Sequence, residues 1–280
     1  MSKAWKLWAA MGMLLATGAF AQTPGFKPEV GQAGKDVVWV PTSDVLVNKM
    51  LDMAKVTPAD HLIDLGSGDG RTVIAAAKRG VRAQGIEYNP DMVKLSQDNA
   101  AKAGVSDKAT FARADIFQSD FSQATVITMF LLPDLNLRLR PKLLDMKPGT
   151  RVVSNSFTMG DWEDDDTATA NESGECSYWC IAHLWIVPAK VAGGWKLKIG
   201  DGAETDVSIN QRYQMIDGTV HLPRITTSLR EARLLGDRIS FTIMDASANI
   251  QAFTGRVVGD RMEGTARSAS GAEVRWTARR

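Results

Sequence analysis

The stretch "IDLGSGDGR", residues 63–71, combines an aspartate with three glycines where an apolar run gives way to a helical pattern. A glycine-rich loop that opens a helix brings backbone amides close to a bound ligand. The spacing restricts which ligand that is. A dinucleotide fold needs a third glycine at the position of Arg71, and a phosphate loop needs a Gly-Lys-Ser/Thr sequence that is absent here. Neither a dinucleotide nor a phosphate site is therefore indicated.

Three further features follow the loop, each at the end of a predicted strand. Glu87 ends "RAQGIE", Asp115 ends "KATFARAD", and an apolar "MFLLP" ends "ATVITMFLL". Because the carboxyl ends of parallel strands meet at one edge of a sheet, we expect these residues to lie around the glycine loop. The order of the four features is a stronger signal than the loop alone, since glycine turns are often only structural.

This arrangement resembles the class I S-adenosylmethionine (SAM) methyltransferases, whose loop reads Asp-x-Gly-x-Gly-x-Gly. The phrases "DLGSGDGR" and "LNLRLRPKLL" are most similar to a bacterial group related to the ATP-synthase c-subunit lysine methyltransferases, and the resemblance covers roughly residues 37–199. It implies SAM as cofactor, Glu87 on the ribose hydroxyls and Asp115 on the adenine amino group. The residues that it implies in SAM binding are Asp64, Gly66, Ser67, Gly68, Glu87 and Asp115.

The lysine-methylating relatives suggest a protein lysine as a candidate acceptor. SAM carries an activated leaving group, so the protein must mainly position the acceptor in line with the methyl group. A lysine must also lose its proton, and desolvation in an apolar cleft lowers its pKa. Candidate residues for such a cleft are Phe130, Leu131, Leu132 and Pro133, with Asn136 to orient the acceptor. Completion of a buried strand, and for Asn136 the capping of a turn, are equally compatible interpretations.

The elements that position these residues alternate between strand and helix from residue 61 onwards. "NPDMVKLSQDNAAKAG" has Asn89 as N-cap and Pro90 at the first helical position, while Pro141 is expected to interrupt "LNLRLRPKLLDM". Residues 178–199 are expected to form two strands that complete the sheet with an antiparallel edge. The fold class predicted is α/β, a doubly wound and mostly parallel Rossmann-like sheet of the SAM methyltransferase type.

Beyond residue 200 short glycine-punctuated strands replace the helices, which predicts a small C-terminal all-β domain. The expected organisation is a signal peptide over 1–21, a flexible lead-in over 22–36, a SAM-binding methyltransferase domain over 37–200 and an antiparallel β domain over 201–280. The acidic stretch "GDWEDDD", residues 160–166, is expected to be a solvated loop, with attraction of a basic protein segment as the alternative.

The first 21 residues have the three-part form of a secretory signal peptide. Lys3 and Lys6 precede an apolar stretch from Leu7 to Phe20, and "AFA" offers a cleavage site before Gln22. That stretch is shorter than the roughly 20 residues of a spanning helix. We therefore expect a periplasmic protein with no stable transmembrane segment after cleavage, and an uncleaved anchor is the alternative.

The composition and the two cysteines indicate less strongly which partners and bonds to expect. A net charge of +1 without a basic block gives no reason to expect a nucleic acid partner. Cys176 and Cys180 could form a disulfide in an exported protein if the chain bends there, and nothing nearby suggests a metal site.

Export raises a question about activity, because SAM is made in the cytosol. The favoured function is a SAM-dependent methyltransferase. One alternative is an exported, non-catalytic protein that reuses the SAM-binding fold as a binding or scaffold module. Another is a dehydrogenase on the same sheet, which the position of the third glycine disfavours.

Overall fold

A computed structural model describes residues 26–171 and 174–280 of the chain. The expected signal peptide, residues 1–21, lies outside the described residues, as do the first residues of the expected lead-in. No helix within the described ranges combines the length and apolar character that crossing a bilayer requires.

The first region consists of strands and helices that alternate in sequence up to β5, followed by two further strands. Their bounds are α1 (Asp44–Met53), β1 (His61–Leu65), α2 (Arg71–Lys78), β2 (Arg82–Glu87), α3 (Pro90–Lys102), β3 (Ala109–Arg113), β4 (Val126–Met129), α4 (Pro133–Leu144), β5 (Arg151–Asn155), β6 (Asp166–Thr169) and β7 (Ile181–Ile186).

These strands form one mixed sheet of order β3-β2-β1-β4-β5-β7-β6. Strands β1 to β5 pair in parallel, whereas β7 is antiparallel to both β5 and β6. The strand order reverses beside β1, where β2 lies on one side and β4 on the other. In open α/β sheets the crevice at such a reversal is where ligands bind.

Helices and apolar loops cover both faces of this sheet. Leu62 and Val126 pack with α1, α2 and α3 in one hydrophobic core, whereas Ile63 and Ile127 pack with α4 in a second. Because successive side chains of a strand point to opposite faces, the nearly continuous apolar strands supply both cores. The short, continuous apolar runs of the sequence are therefore strands whose side chains are buried on both faces of the sheet.

The start of α3 follows the sequence expectation, whereas α4 differs from it. Asn89 caps α3 by accepting hydrogen bonds from the amides of Asp91 and Met92, and Pro90 occupies the first turn. The expected interruption of α4 at Pro141 was wrong, because α4 continues to Leu144. Pro141 lies one turn before the end of the helix, and its carbonyl still accepts a hydrogen bond from the amide of Asp145.

The second region is an antiparallel sheet of order β11-β10-β9-β8-β16-β15-β14-β13-β12, with a hydrophobic core of its own. Close packing of β10 against β12 and of β11 against β13 makes this sheet nearly closed. Its strands are β8 (Gly193–Ile199), β9 (Thr205–Arg212), β10 (Met215–Leu222), β11 (Ile225–Ser228), β12 (Arg230–Leu235), β13 (Arg238–Met244), β14 (Ile250–Val258), β15 (Arg261–Ser268) and β16 (Glu273–Arg279).

The expectation that residues 178–199 form a two-stranded edge of the first sheet was wrong in its second strand. Only β7 joins the first sheet, where β6 is its outer neighbour, and β8 instead pairs with β9 and β16. In β8, Trp195 and Leu197 are buried while Lys196 and Lys198 are exposed. A strand that is apolar on one face suits a sheet with a single buried side.

Cys176 and Cys180 form a disulfide within the loop that precedes β7. The chain turns between the two cysteines, and Trp179 adopts a φ of +58° there. The loop supplies the bend that a disulfide across so short a spacer requires. We refer to residues 176–180 as the disulfide turn.

The acidic stretch links the two regions, although several of its members, including Asp161, are exposed as expected of a solvated loop. Asp161 accepts hydrogen bonds from Arg140 of α4 and from Arg212 and Tyr213 of the second region. These three donors lower the pKa of Asp161 to about 2. Trp162 is fully buried and stacks on the ring of Tyr213.

Candidate functional site

A cleft opens at the carboxyl ends of β1, β2 and β4, beside the reversal of strand order. The structure brings all six residues predicted to bind SAM to this cleft, together with two of the acceptor candidates. The six are Asp64, Gly66, Ser67, Gly68, Glu87 and Asp115.

The glycine loop follows β1 and leads directly into α2. The three glycines of the loop have positive φ angles, which residues other than glycine rarely adopt. The angles are +80° at Gly66, +54° at Gly68 and +83° at Gly70. The amides of Gly66 and Ser67 both donate to the carbonyl oxygen of Ile86 in β2. The glycines therefore fold the backbone tightly across the ends of two adjacent strands.

Glu87 anchors this loop from the end of β2. One carboxylate oxygen accepts the amide of Gly68 at 3.0 Å, and the other accepts the amide of Asn89 at 2.9 Å. A carboxylate has about four lone-pair positions, so both oxygens can still accept further hydrogen bonds from the cleft. Glu87 thus joins the glycine loop to the start of α3 and presents a charged acceptor to a ligand.

Asp64 lies beneath the loop and is buried. Its Oδ1 accepts a hydrogen bond from the hydroxyl of Thr128 in β4 at 2.6 Å. Burial, reinforced by the nearby charges of Glu87 and Asp69, raises the pKa of Asp64 to about 7, although the Thr128 hydrogen bond acts in the opposite direction. A cationic ligand would favour the ionised form of this carboxyl, because opposite charges stabilise each other.

Asp115 closes the far end of the cleft and is held by two donors. Its Oδ1 accepts the amide of Phe117, and its Oδ2 accepts Lys35 Nζ at 2.6 Å. These bonds, with Lys35 first, lower the pKa of Asp115. The Lys35 ammonium also lies 4.9 Å from the centre of the Tyr88 ring.

Residues 31–42, which we call the N-terminal strap, are the part of the site that sequence reasoning missed. The strap lines the cleft, and the Trp39 indole nitrogen would lie 2.6 Å from a Cβ placed on Gly68. The carbonyl of Thr42 accepts a hydrogen bond from Arg71 at the start of α2. The "VVWV" run before α1 was the available signal, since an apolar segment outside a regular element must pack against something.

Ser67 provides an observation that bears directly on the fit of a ligand. Ser67 lines the cleft, but its hydroxyl is buried and has no hydrogen-bond partner among the residues that the structure describes. Buried polar groups without partners are rare and mark a missing ligand or water. The hydroxyl packs against Gly85 of β2 and near Phe111 of β3, so the fit of a polar ligand rests on the open acceptor positions of Glu87 and on the glycine backbone of the loop.

The acceptor candidates divide into two sets. Phe130 and Leu131 line the cleft beyond β4, as predicted. Leu132 and Pro133 are exposed at the start of α4 and are not among the lining residues. Asn136 is fully buried, and its amide donates to the carbonyl oxygens of Phe157 and Thr158, so it anchors the loop after β5.

Comparison with known proteins places this site in a family context. The ANTKMT methyltransferase domain matches residues 64–166, which span the glycine loop and the ends of β2 to β5. A protein-lysine N-methyltransferase from Saccharolobus islandicus is 44% identical over 129 residues, covering 45% of this chain and 80% of that protein.

An animal enzyme and a solved structure are also similar to the chain. The mouse ATP-synthase c-subunit lysine N-methyltransferase is 36% identical over 56% of this chain and 62% of its own length, so the match spans less than two thirds of that enzyme. A crystal structure of an RNA methyltransferase from Salinibacter ruber, in complex with S-adenosyl-L-homocysteine, is 44% identical. It matches 54% of this chain and 96% of its own, with a TM-score of 0.51.

Proposed function

The chain belongs to the family of SAM-dependent methyltransferases that includes the ANTKMT domain and the archaeal protein-lysine methyltransferase, and we propose that its methyl acceptor is a lysine side chain of a protein. Its cofactor is SAM, as in that family. The observation that carries the acceptor proposal is the apolar end of the cleft, where Phe130 and Leu131 follow β4. The naming of two similar enzymes as lysine methyltransferases supports it.

The proposed cofactor contacts are those of the cleft. Glu87 would accept the ribose hydroxyls, Asp115 the adenine amino group, and the loop of Gly66, Ser67 and Gly68 would lie against the remaining polar groups. The free lone pairs of Glu87, whose two oxygens each accept one backbone amide, support this arrangement. When bound, SAM supplies an electrophilic methyl group on a sulfonium.

The chain's own contribution to the transfer is position and desolvation. Phe130 and Leu131 form an apolar wall that would exclude water from the acceptor amine. An ammonium in such surroundings has a lowered pKa, so the neutral amine that can attack the methyl group becomes accessible. Alignment of two bound reactants removes much of the entropic cost of the reaction.

RNA is a second candidate acceptor, because the similar Salinibacter structure is described as an RNA methyltransferase. The charge distribution favours protein. The net charge is +1, and the basic side chains that line the cleft, Lys35 and Arg71, are already paired with Asp115 and Asp69. Neutralisation of several phosphates by unpaired basic side chains dominates RNA affinity.

The decisive experiment follows a labelled methyl group. The mature chain is incubated with methyl-labelled SAM and an envelope extract of the source organism, with Glu87→Ala as control. We expect label that protease releases and that acid hydrolysis recovers as Nε-methylated lysine. Label that is sensitive to ribonuclease would favour RNA, and label in neither fraction would contradict both acceptors.

We also propose that the mature chain is exported and acts outside the cytoplasm, as a two-domain protein divided near residue 200 or, following the strand pairing, between β7 and β8. The signal-like residues 1–21 and the Cys176–Cys180 disulfide support export, because disulfides persist in oxidising compartments. A reporter fused after Gln22 tests this proposal. Retention of the reporter in the cytosol would contradict it.

A further inference from the structure

Three aromatic rings from separate parts of the chain meet beside the cleft. Phe130 follows β4, Phe157 follows β5, and Trp179 belongs to the disulfide turn. The ring centre of Trp179 lies 5.2 Å from that of Phe157 and 6.1 Å from that of Phe130. We call these residues the aromatic cluster.

The cluster adjoins the cleft through one of its three rings. Phe130 itself lines the cleft, and both phenylalanines follow the carboxyl ends of parallel strands, where ligands of such sheets bind. Trp179 is 48% exposed, so part of its indole remains open to solvent beyond the two phenylalanines. The indole therefore has surface free for a ligand at 6.1 Å, ring centre to ring centre, from a residue that lines the cleft.

The backbone at Trp179 is in an unfavourable conformation. A φ of +58° lies in the left-handed region, which a bulky residue occupies at a cost that glycine does not have. The disulfide turn holds this conformation, because both cysteines are buried in the core while the residues between them are exposed. Strained residues of this kind cluster at functional sites, where the surrounding structure over-determines them.

We propose that Trp179, presented by the disulfide turn, is a positioning residue that binds the alkylammonium group of the acceptor at the mouth of the cleft. The inference rests on the proposed function and deepens it. The face of an indole attracts a cation through its quadrupole, and tryptophan is the strongest of the aromatic residues in this role. Methylation leaves the cationic state accessible, so the same ring can hold a lysine before and after each transfer.

The cation selectivity of this surface can be measured without knowing the acceptor protein. The probes are two analogues of S-adenosylhomocysteine in which nitrogen replaces sulfur and carries a short alkyl chain. One chain ends in trimethylammonium and the other in the neutral tert-butyl group of the same shape. Calorimetry should show that the full mature chain prefers the cationic analogue by about two- to fivefold.

Trp179→Gly should abolish this preference and leave the affinity for S-adenosylhomocysteine itself unchanged. Glycine removes the ring and adopts a positive φ without strain. The variant should therefore fold, and a lost preference can be attributed to the missing ring. Tyr178→Ala is the matched control, because Tyr178 lies in the same turn, is 84% exposed and is not a member of the cluster. A Cys176→Ala/Cys180→Ala double variant should lose the preference as Trp179→Gly does.

The outcomes separate this inference from the proposed function. If S-adenosylhomocysteine binds, but wild type and Trp179→Gly prefer the cationic analogue to the same degree, the role of Trp179 alone is overturned. A cation preference that survives in the double cysteine variant would overturn the role of the disulfide turn. Failure of S-adenosylhomocysteine to bind the wild type would overturn the methyltransferase function and the inference with it.

Discussion

At the scale of single residues, the carboxylates of Glu87 and Asp64 have different surroundings and different roles in the site. Glu87 is half-buried and holds two backbone amides, so it keeps the glycine loop in shape before any ligand arrives. Asp64 is buried beside a single hydroxyl donor, and its raised pKa means that it carries a proton over much of the acidic range. The sequence motif contains both residues but does not distinguish these two roles.

The raised pKa of Asp64 predicts that Asp64→Asn stabilises the ligand-free protein at neutral and higher pH. The folded state retains a proton that the unfolded state has already lost, so stability falls as the pH rises from about 4 through 7. A shift from 3.8 to about 7 corresponds to a penalty of about 4 kcal/mol at pH 8. Asparagine removes this penalty and still accepts the Thr128 hydrogen bond.

Urea unfolding of wild type and Asp64→Asn at pH 4 and pH 8 measures the effect. The two proteins should be nearly equal in stability at pH 4, and the variant should be more stable at pH 8. Equal stability at pH 8 would mean that the buried carboxyl ionises without cost.

At the scale of elements, the site depends on a close fit between the glycine loop and its neighbours. A Cβ on Gly70 would lie 2.7 Å from Phe111 and 2.9 Å from Ser96, and one on Gly68 would meet Trp39 of the N-terminal strap. The carbonyl oxygen of Gly68 also accepts the Ser96 hydroxyl of α3. The loop is therefore fixed from both sides, by α3 and by the strap.

Gly70→Ala should lower the free energy of unfolding more than Gly104→Ala does. Both glycines have positive φ angles, but a Cβ on Gly104 would meet nothing within 4 Å. Each variant should lose about 1–2 kcal/mol to the left-handed backbone, and Gly70→Ala should lose about 1–3 kcal/mol more to overpacking. Thermal or urea unfolding of both variants measures the two losses of stability, and their difference is the cost of the steric overlap at Gly70. Equal losses for the two variants would show that Phe111 moves aside freely.

The sequence predicted the local parts of this architecture better than the long-range ones. Asn89 with Pro90, and the glycines between β1 and α2, act within a few residues of their own positions, so their pattern is sufficient. The strap depends on contacts such as that of Thr42 with Asn155, 113 residues away, which no local pattern encodes. The misplacement of β8 has the same cause, because a single strand does not specify which sheet it joins.

At the scale of the whole molecule, a small set of side chains joins the two sheets. Tyr213 stacks on Trp162 with ring centres 6.0 Å apart, and its hydroxyl donates to Asp161. Gly236 of the second region also lies against the first, because a Cβ placed on it would be 3.0 Å from the backbone of Gly149 and 3.2 Å from the side chain of Ile186. Each sheet has its own hydrophobic core, so these contacts determine whether the two unfold together.

We expect wild type to unfold in one calorimetric transition and Tyr213→Ala to unfold in two. Loss of the ring removes the stack on Trp162 and one donor to Asp161, which should cost about 1–3 kcal/mol of coupling. Tyr178→Ala, which truncates an exposed ring outside the junction, should retain a single transition. Two separate transitions in the wild type would show that the junction does not couple the cores.

Calorimetric titration of SAM into the mature chain, with Glu87→Ala and Glu87→Gln measured alongside, tests directly whether this cleft holds the cofactor. We expect one site per chain and a loss of about tenfold or more in affinity for Glu87→Ala, because the variant removes a charge-assisted acceptor and the anchor of the Gly68 amide. Glu87→Gln should lose less, since its amide oxygen can still accept one of these bonds. Absence of binding at millimolar SAM, or tight binding that Glu87→Ala leaves unchanged, would contradict a SAM site built on Glu87.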